Sequence, residues 1–190
     1  MKRKVIAITG GIGSGKSTVA QILQQQGYKV VFCDVLARQA GESRQVVDSV
    51  KKLLGESYVK NGKLDRKAIR QRVFADDDLY KSYSSLFYGK VKSLLQNEVD
   101  NSDSDVFVEI PVFDAFDFPW DSVWLVKSNR ETQIARVVAR DGSSRQNVGE
   151  IIAKQSFVNV RPNIVIQNDG TTEDLKSQVA QALQKEGLDC

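Results

Sequence analysis

A short segment near the amino terminus restricts this 190-residue chain more than any other part of its sequence. Residues Gly10 to Ser17 read Gly-Gly-Ile-Gly-Ser-Gly-Lys-Ser, which matches the pattern G-x-x-x-x-G-K-[ST] at every fixed position. The apolar run Val5–Ile8 precedes this segment, and apolar residues at helical spacing (Val19, Ile22, Leu23) follow it. A buried strand, a glycine-rich turn and a helix in this order predict a phosphate-binding loop.

The residue types of this loop suit the binding of phosphate groups. Its glycines let the backbone curl so that several N–H groups converge on phosphate oxygens. Lys16 is long enough to reach the β- and γ-phosphates of a nucleotide, and Ser17 offers its hydroxyl to Mg²⁺. The predicted nucleotide contacts in the loop are Gly11, Gly13, Ser14, Gly15, Lys16, Ser17 and Thr18. The alternative is a turn that only connects a strand to a helix.

The composition excludes several other classes of function. The chain has no histidine, so histidine-based triads and histidine metal ligands are excluded. A net charge of +3 is too small to indicate nucleic-acid binding, and Cys33 and Cys190 are too few for a disulfide framework. No apolar run approaches the roughly 18 residues of a membrane span, so we expect a cytoplasmic protein that needs no membrane. The oligomeric state stays open.

The order of apolar runs along the chain predicts the α/β class. Five candidate strands are residues 4–9, 30–33, 105–110, 122–126 and 163–167. Helices are predicted at about 130–139 and 148–157, and a capping box of Thr171 and Asp174 starts the closing helix. Strands that alternate with helices predict a three-layer sandwich built on a five-stranded parallel sheet.

The long interval between the second and third candidate strands predicts a helical insertion. Residues 36–99 carry apolar stripes at helical spacing, with Asp65 as a candidate N-cap after the Asn61-Gly62 turn. We therefore expect one domain, 1–190, in which residues 1–35 and 100–190 form the nucleotide-binding core. The polar residues Asp141 to Arg145 predict a mobile connection between two helices.

A phosphate-binding loop is shared by kinases, GTPases and motor ATPases. A GTPase of the common kind carries Asn-Lys-x-Asp for guanine, whereas Gln167-Asn-Asp-Gly170 lacks that lysine. A motor ATPase needs a longer chain. The short length, the helical insertion and an arginine-bearing segment near the fourth strand favour a kinase of small substrates.

Several motifs together resemble the dephospho-coenzyme A kinase family. They run in order through essentially the whole chain, from Lys4 to about Leu183. They are Thr9–Thr18, Asp34 with Ala37-Arg38, Gly62–Arg66, Arg72–Phe74, Ile110-Pro111, Arg140-Asp141 with Arg145, Ile152–Gln155 and Asn168–Gly170. The resemblance implies a fold of the phosphate-loop kinase type. It also implies transfer of the γ-phosphate of ATP, with Mg²⁺, to the 3′-hydroxyl of dephospho-coenzyme A.

The resemblance assigns catalytic roles to three residues. Asp34 is the carboxylate that orients the ribose 3′-hydroxyl and accepts its proton; alternatively it caps a helix from Val35 to Ala40. Lys16 and Arg140 stabilise charge on the transferring phosphate. Arg140 belongs to a basic segment, about residues 136–155, that is expected to act as a lid over ATP. The alternative for Arg140 is an exposed, solvated helix face.

The remaining candidate residues divide between the two substrates and the metal. The turn at Asn168 lies beside the adenine of ATP or is a plain turn. Glu109 lies near Mg²⁺, or it is a paired acid at the end of a strand. The insertion, residues 36–99, holds the acceptor, and the candidate acceptor contacts are Arg38, Tyr88, Ile110 and Pro111.

Two departures from the family pattern lie on the acceptor side. Tyr88-Gly89 stands where the family usually has His-Pro, and Val112–Ala115 replaces a usual Leu-Leu-Phe-Glu, with Asp114 as a stand-in for the glutamate. One alternative function is therefore a kinase of the same fold for another nucleoside, nucleotide or small alcohol. Another is a nucleotide-binding regulator without turnover.

Overall fold

A computed structural model of the chain describes residues 3–73, 75–155, 157 and 159–188. Phe74 and Cys190, both used in the sequence arguments, lie outside these ranges. The strands are β1 (Val5–Gly10), β2 (Lys29–Phe32), β3 (Val59–Lys60), β4 (Lys63–Leu64), β5 (Val106–Glu109), β6 (Ser122–Lys127) and β7 (Ile164–Gln167). The helices are α1 (Lys16–Gln25), α2 (Cys33–Ala40), α3 (Arg44–Leu54), α4 (Arg66–Val73), α5 (Asp77–Asp100), α6 (Arg130–Asp141), α7 (Arg145–Lys154) and α8 (Thr172–Glu186). Short 3₁₀ turns lie at Glu56–Tyr58 and Phe113–Ala115.

The described residues form two compact units. The first comprises the described residues of Met1–Phe32, Ser102–Asp114 and Pro119–Cys190, and the second those of Cys33–Asn101 and Ala115–Phe118. No helix in the described ranges is both long enough and apolar enough to cross a membrane.

The first unit is built on a five-stranded sheet in the order β2-β5-β1-β6-β7. Every neighbouring pair in this sheet runs parallel, which confirms the predicted α/β class and parallel sheet. All six residues of the central strand β1 are buried, as expected for a strand with neighbours on both sides and helices covering it. Parallel strands end at one edge of the sheet, so the residues after β1, β5 and β6 emerge together there.

The core of the first unit lies between the sheet and helices α1 and α8. Trp124 of β6 is fully buried and meets Phe107 of β5 edge to face, with ring centroids 5.2 Å apart. Leu23 of α1 and Val179 of α8 are buried in the same cluster. Full burial of an aliphatic or phenylalanine side chain contributes roughly 1.5–3 kcal/mol, so this cluster gives the active-site edge a rigid base.

Helix α8 begins as predicted, whereas several other boundaries differ by one to three residues. The capping box of Thr171 and Asp174 is present, which confirms that prediction. The second strand ends at Phe32, because Cys33 already belongs to α2. Helix α7 begins three residues earlier than predicted, because the Ser144 hydroxyl accepts a hydrogen bond from the N–H of Asn147 and caps it.

The second unit is mainly helical, with α2 and α3 both packed against the long helix α5. The Asn61-Gly62 turn joins β3 to β4 in a small hairpin, with φ of 51° and 74° at its two central residues. Two-residue strands leave no periodic signal, so the sequence predicted only the turn. Asp65 accepts a hydrogen bond from the N–H of Ala68 at 3.1 Å and lies one residue before α4, which confirms it as a cap.

Candidate active site

The glycine-rich loop lies between the end of β1 and the start of α1. Gly13 and Gly15 have left-handed φ values of 72° and 94°, which side-chain-bearing residues rarely adopt. A Cβ atom at Gly15 would lie 2.0 Å from Nδ2 of Asn168, and one at Gly13 would lie 2.6 Å from the main-chain oxygen of Gln133. Helix α1 starts at Lys16, so its N-terminal N–H groups and dipole favour an anion at the loop.

Glu109, the last residue of β5, faces the first turn of α1. Its side chain is 5% exposed, and Oε1 lies 4.0 Å from Nζ of Lys16. The same oxygen accepts a hydrogen bond from the Ser17 hydroxyl at 3.5 Å. The structure therefore brings a cation, a hydroxyl and a buried carboxylate together beside the loop.

These groups fit a magnesium ion that is held largely by its nucleotide. Mg²⁺ prefers oxygen ligands and usually keeps several waters and substrate phosphates in its shell. The Ser17 hydroxyl and the Glu109 carboxylate are oxygen donors of that kind, 3.5 Å apart. Within the described residues, no group of three or more His, Cys, Asp or Glu side chains could hold a metal ion without the nucleotide.

Asn168, which follows β7, holds the loop through its side chain. Its Nδ2 donates to the main-chain oxygen of Ser14 at 2.8 Å, and its side chain is buried. Nη2 of Arg136 donates to Oδ1 of Asn168 at 3.4 Å, and Nη1 donates to the Ser128 hydroxyl at 3.0 Å. Nη1 also lies 3.4 Å from the main-chain oxygen of Gly13. The Asn168 side chain therefore supports the loop rather than an open pocket.

The turn after Asn168 is itself held in place. Oδ1 of Asp169 accepts from the N–H of Asn129 at 2.8 Å, and Oδ2 accepts from Nε2 of Gln167 at 2.5 Å. The hydrogen bond from Gln167, followed by that from Asn129, lowers the pKa of Asp169 below its usual value. A carboxylate at this turn thus stays ionised.

Two glutamines to which the sequence analysis assigned no role hold the peptide groups of Ile12. Nε2 of Gln133 in α6 donates to the main-chain oxygen of Ile12 at 2.9 Å. Oε1 of Gln155, just after α7, accepts from the N–H of Ile12 at 2.9 Å. Gln155 belongs to the Ile152–Gln155 motif, but nothing in its sequence position indicates a partner 143 residues away.

Arg140 lies in the last turn of α6 and is mainly exposed. Its Nε and Nη2 donate to the two carboxylate oxygens of Asp141 at 2.7 and 2.8 Å. The hydrogen bonds to Asp141 raise the pKa of Arg140, so the guanidinium is a permanent cation. Gly142, with a φ of 67°, ends the helix directly after this pair.

Asp34 and Arg38 lie on one face of α2 in the second unit, four residues apart. Both side chains are exposed. Because α2 begins at Cys33, Asp34 lies inside its first turn, and the alternative in which it caps a helix from Val35 is wrong. A carboxylate in a first helical turn interacts favourably with the helix dipole.

The other candidate acceptor residues differ in how much surface they present. Tyr88 is half-buried in α5, and burial raises the pKa of its hydroxyl. Ile110 is 1% exposed, and its N–H donates to the main-chain oxygen of Ile8 at 3.0 Å, so it packs in the core of the first unit. Pro111 is half-buried, whereas Asp114 is exposed and accepts from Nδ2 of Asn159 at 3.4 Å.

Comparisons of this chain with a family model, with relatives and with solved structures agree with one another. The family model for dephospho-CoA kinase (CoaE) matches residues 4–174. A dephospho-CoA kinase from Thermus thermophilus is 36% identical over 183 residues, covering 90% of this chain and 86% of the relative. The crystal structure of TT1252 from Thermus thermophilus gives a TM-score of 0.82 at 34% identity, covering 98% of each chain. A dephospho-CoA kinase from Campylobacter jejuni shows the same fold, with a TM-score of 0.64 at 20% identity over 96% of this chain and 97% of that one.

Proposed function

Because the chain belongs to the dephospho-CoA kinase family, we propose that it transfers the γ-phosphate of ATP to the ribose 3′-hydroxyl of dephospho-CoA. The products are coenzyme A and ADP, and the reaction is the last step of coenzyme A biosynthesis. The observation that carries this proposal is the phosphate loop, whose Lys16 and Ser17 meet the buried carboxylate of Glu109.

The first unit binds ATP and neutralises its phosphates. The N–H groups of the loop and of the first turn of α1 face the phosphate oxygens, and Lys16 supplies a cation to the β- and γ-phosphates. The nucleotide contacts are Gly11, Gly13, Ser14, Gly15, Lys16, Ser17, Thr18 and Arg140. Asn168 acts through the loop, because its buried side chain binds the main chain of Ser14. We place the adenine beside the turn that follows Asn168.

Arg140 acts from the α6–α7 region, within the lid segment of residues 136–155. Its guanidinium lies at the end of α6 in a bidentate pair with Asp141. A phosphate group carries more charge than a carboxylate and offers the same fork of oxygens, so it competes for this guanidinium. Closure of the segment excludes water, which would otherwise accept the phosphate.

Ser17 and Glu109 would hold Mg²⁺ together with the nucleotide phosphates. When bound, the ion would offset negative charge on the β- and γ-phosphates. Glu109 also keeps Lys16 oriented toward the loop, since its Oε1 lies 4.0 Å from Nζ.

The second unit supplies the acceptor side. The 3′-oxygen of dephospho-CoA attacks the γ-phosphorus, the bond from that phosphorus to the β-bridging oxygen breaks, and ADP leaves. Asp34 orients the 3′-hydroxyl and takes its proton. Arg38 lies one turn further along the same face of α2 and contacts the acceptor, as does Tyr88. Of the two candidates in the first unit, the half-buried Pro111 contacts the acceptor, whereas Ile110 is buried in the core.

The substrates are the small molecules ATP and dephospho-CoA, and the reaction needs neither nucleic acid nor a membrane. We place the enzyme in the cytoplasm, where ATP is supplied.

The experiment that tests the proposal measures ADP release with ATP and Mg²⁺ across a panel of acceptors. The panel contains dephospho-CoA, adenosine, shikimate and nucleoside monophosphates. We expect turnover with dephospho-CoA alone, and mass spectrometry of the product locates the new phosphate on the 3′-oxygen. Turnover with another acceptor, and none with dephospho-CoA, would show that the second unit serves a different substrate.

A thermal-shift measurement separates a kinase from a nucleotide-binding regulator. A ligand that binds only the folded protein stabilises it by RT ln(1 + [L]/Kd), so both ATP and dephospho-CoA should raise the unfolding temperature. Stabilisation by ATP or ADP but not by dephospho-CoA, together with no turnover, would favour the regulator.

A further inference from the structure

The peptide groups of Ile12 are held on both sides by side-chain amides. Gln133 donates to the Ile12 oxygen and Gln155 accepts from the Ile12 N–H, each at 2.9 Å. Gln133 is 8% exposed, so its hydrogen bond is made away from bulk water. Gln133 belongs to α6 and Gln155 follows α7. Each of these two helices is therefore linked by a hydrogen bond to the same residue of the phosphate loop.

The side chain of Ile12 reinforces the same connection. It packs against an apolar cluster between α6 and α7 formed by Ile134, Val137 and Val148. Two hydrogen bonds and one apolar contact therefore fasten the middle of the loop to the α6–α7 pair.

The glycines around Ile12 leave room for this arrangement. A Cβ atom at Gly11 would lie 2.5 Å from Nε2 of Gln133 and 3.2 Å from Oε1 of Gln155. A Cβ atom at Gly13 would lie 2.6 Å from the main-chain oxygen of Gln133. Both glycines are thus needed for the glutamines to reach the loop, in addition to any role toward phosphate.

Glycine-rich backbone is flexible, and a flexible loop must be ordered each time it binds a ligand. Ordering the loop costs conformational entropy. Hydrogen bonds that fix the loop before the nucleotide binds reduce that cost at the binding step. Amides suit the task because one can donate and the other accept while neither adds negative charge near the phosphates.

We propose that Gln133 and Gln155 are positioning residues that pre-order the phosphate loop and so set its affinity for ATP and ADP. The inference rests on the proposed function only in that the loop binds a nucleotide, and it does not depend on the identity of the acceptor. The glutamines act through Ile12 and do not touch the reacting atoms.

The test uses the near-isosteric variants Gln133→Met and Gln155→Met in the full chain. Each removes one hydrogen bond to Ile12, and a hydrogen bond of this kind corresponds to about a five- to tenfold change in affinity. We expect the Kd of ADP, measured by calorimetry without acceptor, and the KM of ATP to rise by that factor. The kcat at saturating ATP and the KM of the acceptor should stay within about twofold of the unaltered protein.

The matched control is Gln181→Met, which changes the same residue type on α8. Gln181 is exposed and belongs neither to the lid segment nor to the residues assigned to ATP or to the acceptor. We expect its ADP affinity to equal that of the unaltered protein. Because the two positioning glutamines share Ile12, the double variant should lose less affinity than the product of the two single losses.

Amide hydrogen exchange at Ile12 gives a second reading that is independent of activity. The N–H of Ile12 should exchange faster in Gln155→Met and at the normal rate in Gln181→Met. Unchanged ADP affinity in both loop-directed variants, or an equal loss in the control, would overturn the proposal. If ADP binds as expected but dephospho-CoA is not phosphorylated, the proposed acceptor fails while this inference stands.

Discussion

The two compact units differ in how they hold their candidate functional groups. In the first unit, the groups are backbone N–H donors and side chains placed mainly by the ends of β1, β5 and β7, with the exposed Arg140 at the end of α6. In the second unit, Asp34, Arg38 and Tyr88 are exposed or half-buried side chains on helices. A site made of backbone requires particular residues around it, whereas a helix face tolerates many sequences.

The glycines of the two units show the same contrast. A Cβ atom at Gly11, Gly13 or Gly15 would lie 2.0 to 2.6 Å from a neighbouring atom. In the second unit, a Cβ atom at Gly55, Gly62 or Gly89 would have nothing within 4 Å. The glycines of the loop are therefore fixed by crowding, whereas these three glycines of the second unit are not. Gly41 is the crowded glycine of the second unit, since a Cβ atom there would lie 3.2 Å from Nη2 of Arg66. This difference explains why a motif search finds the nucleotide side and says little about the acceptor side.

The largest effect is expected in the first unit, from Lys16→Ala. Removing the cation that faces the transferring phosphate should lower kcat on the order of a thousandfold. The sheet and α1 should stay folded, since Lys16 lies at the helix terminus and packs no core. Steady-state kinetics with circular dichroism as the folding control measure this, and a loss under tenfold would contradict the assigned role.

Asp34→Asn tests a candidate catalytic side chain of the second unit. The variant keeps the shape of the side chain but removes the proton acceptor, so kcat should fall on the order of a hundredfold. The Kd of ADP should not change, because no nucleotide contact is assigned to Asp34. Rapid-quench measurement of the chemical step tests this, and normal turnover would show that Asp34 is not the base.

A pair of glycine variants tests the contrast in crowding. Gly13→Ala should weaken ADP binding about tenfold or more, because the left-handed φ of 72° and the oxygen of Gln133 at 2.6 Å both oppose a Cβ atom. Gly89→Ala, in the middle of α5 with open space around it, should instead stabilise the protein by about 1 kcal/mol. Calorimetry and urea unfolding give the two values. If Gly13→Ala left the ADP affinity unchanged and Gly89→Ala left the free energy of unfolding unchanged, the distinction between the units would be lost.

The smallest expected effect concerns the stability of the first unit. Burial acts to raise the pKa of Glu186, but hydrogen bonds from Ser122, Trp124 and Lys4 outweigh it and lower the pKa below its usual value. The carboxylate therefore stabilises the fold above the unfolded pKa of about 4.3, and this contribution disappears as the pH falls through the lower folded pKa.

Glu186→Gln should lower the free energy of unfolding by about 1 kcal/mol at pH 7, where the unaltered carboxylate is ionised. The difference between the two proteins should shrink as the pH approaches 3. Urea unfolding curves at several pH values measure it, and a difference independent of pH would show that the charge of Glu186 is not the cause.

Local patterns in the sequence were sufficient for the loop and its flanking elements. The apolar run, the glycines and the amphipathic helix occupy adjacent positions, so β1 and α1 could be predicted within a residue or two. The capping box of α8 and the Asp65 cap were found for the same reason, since each depends on residues three apart.

The supports of the loop could not be predicted, because their partners are distant in sequence. Gln133 and Gln155 lie 121 and 143 residues from Ile12, and Asn168 lies 154 residues from Ser14. Glutamine on a helix or after it is ordinarily an exposed residue, so its type carries no signal. Only the folded unit, which brings α6, the end of α7 and the residue after β7 to the loop, creates these contacts.

The position of the two tryptophans has a spectroscopic consequence. Trp120 and Trp124 are the only tryptophans of the chain, and both belong to the first unit. Four of the five tyrosines, Tyr58, Tyr80, Tyr83 and Tyr88, belong to the second. Fluorescence excited at the red edge of the absorption band therefore follows the melting of the sheet around Trp124, while tyrosine absorbance follows mainly the helical unit. The natural chain thus carries separate optical reporters for its two halves, and no label is needed to learn whether they unfold together.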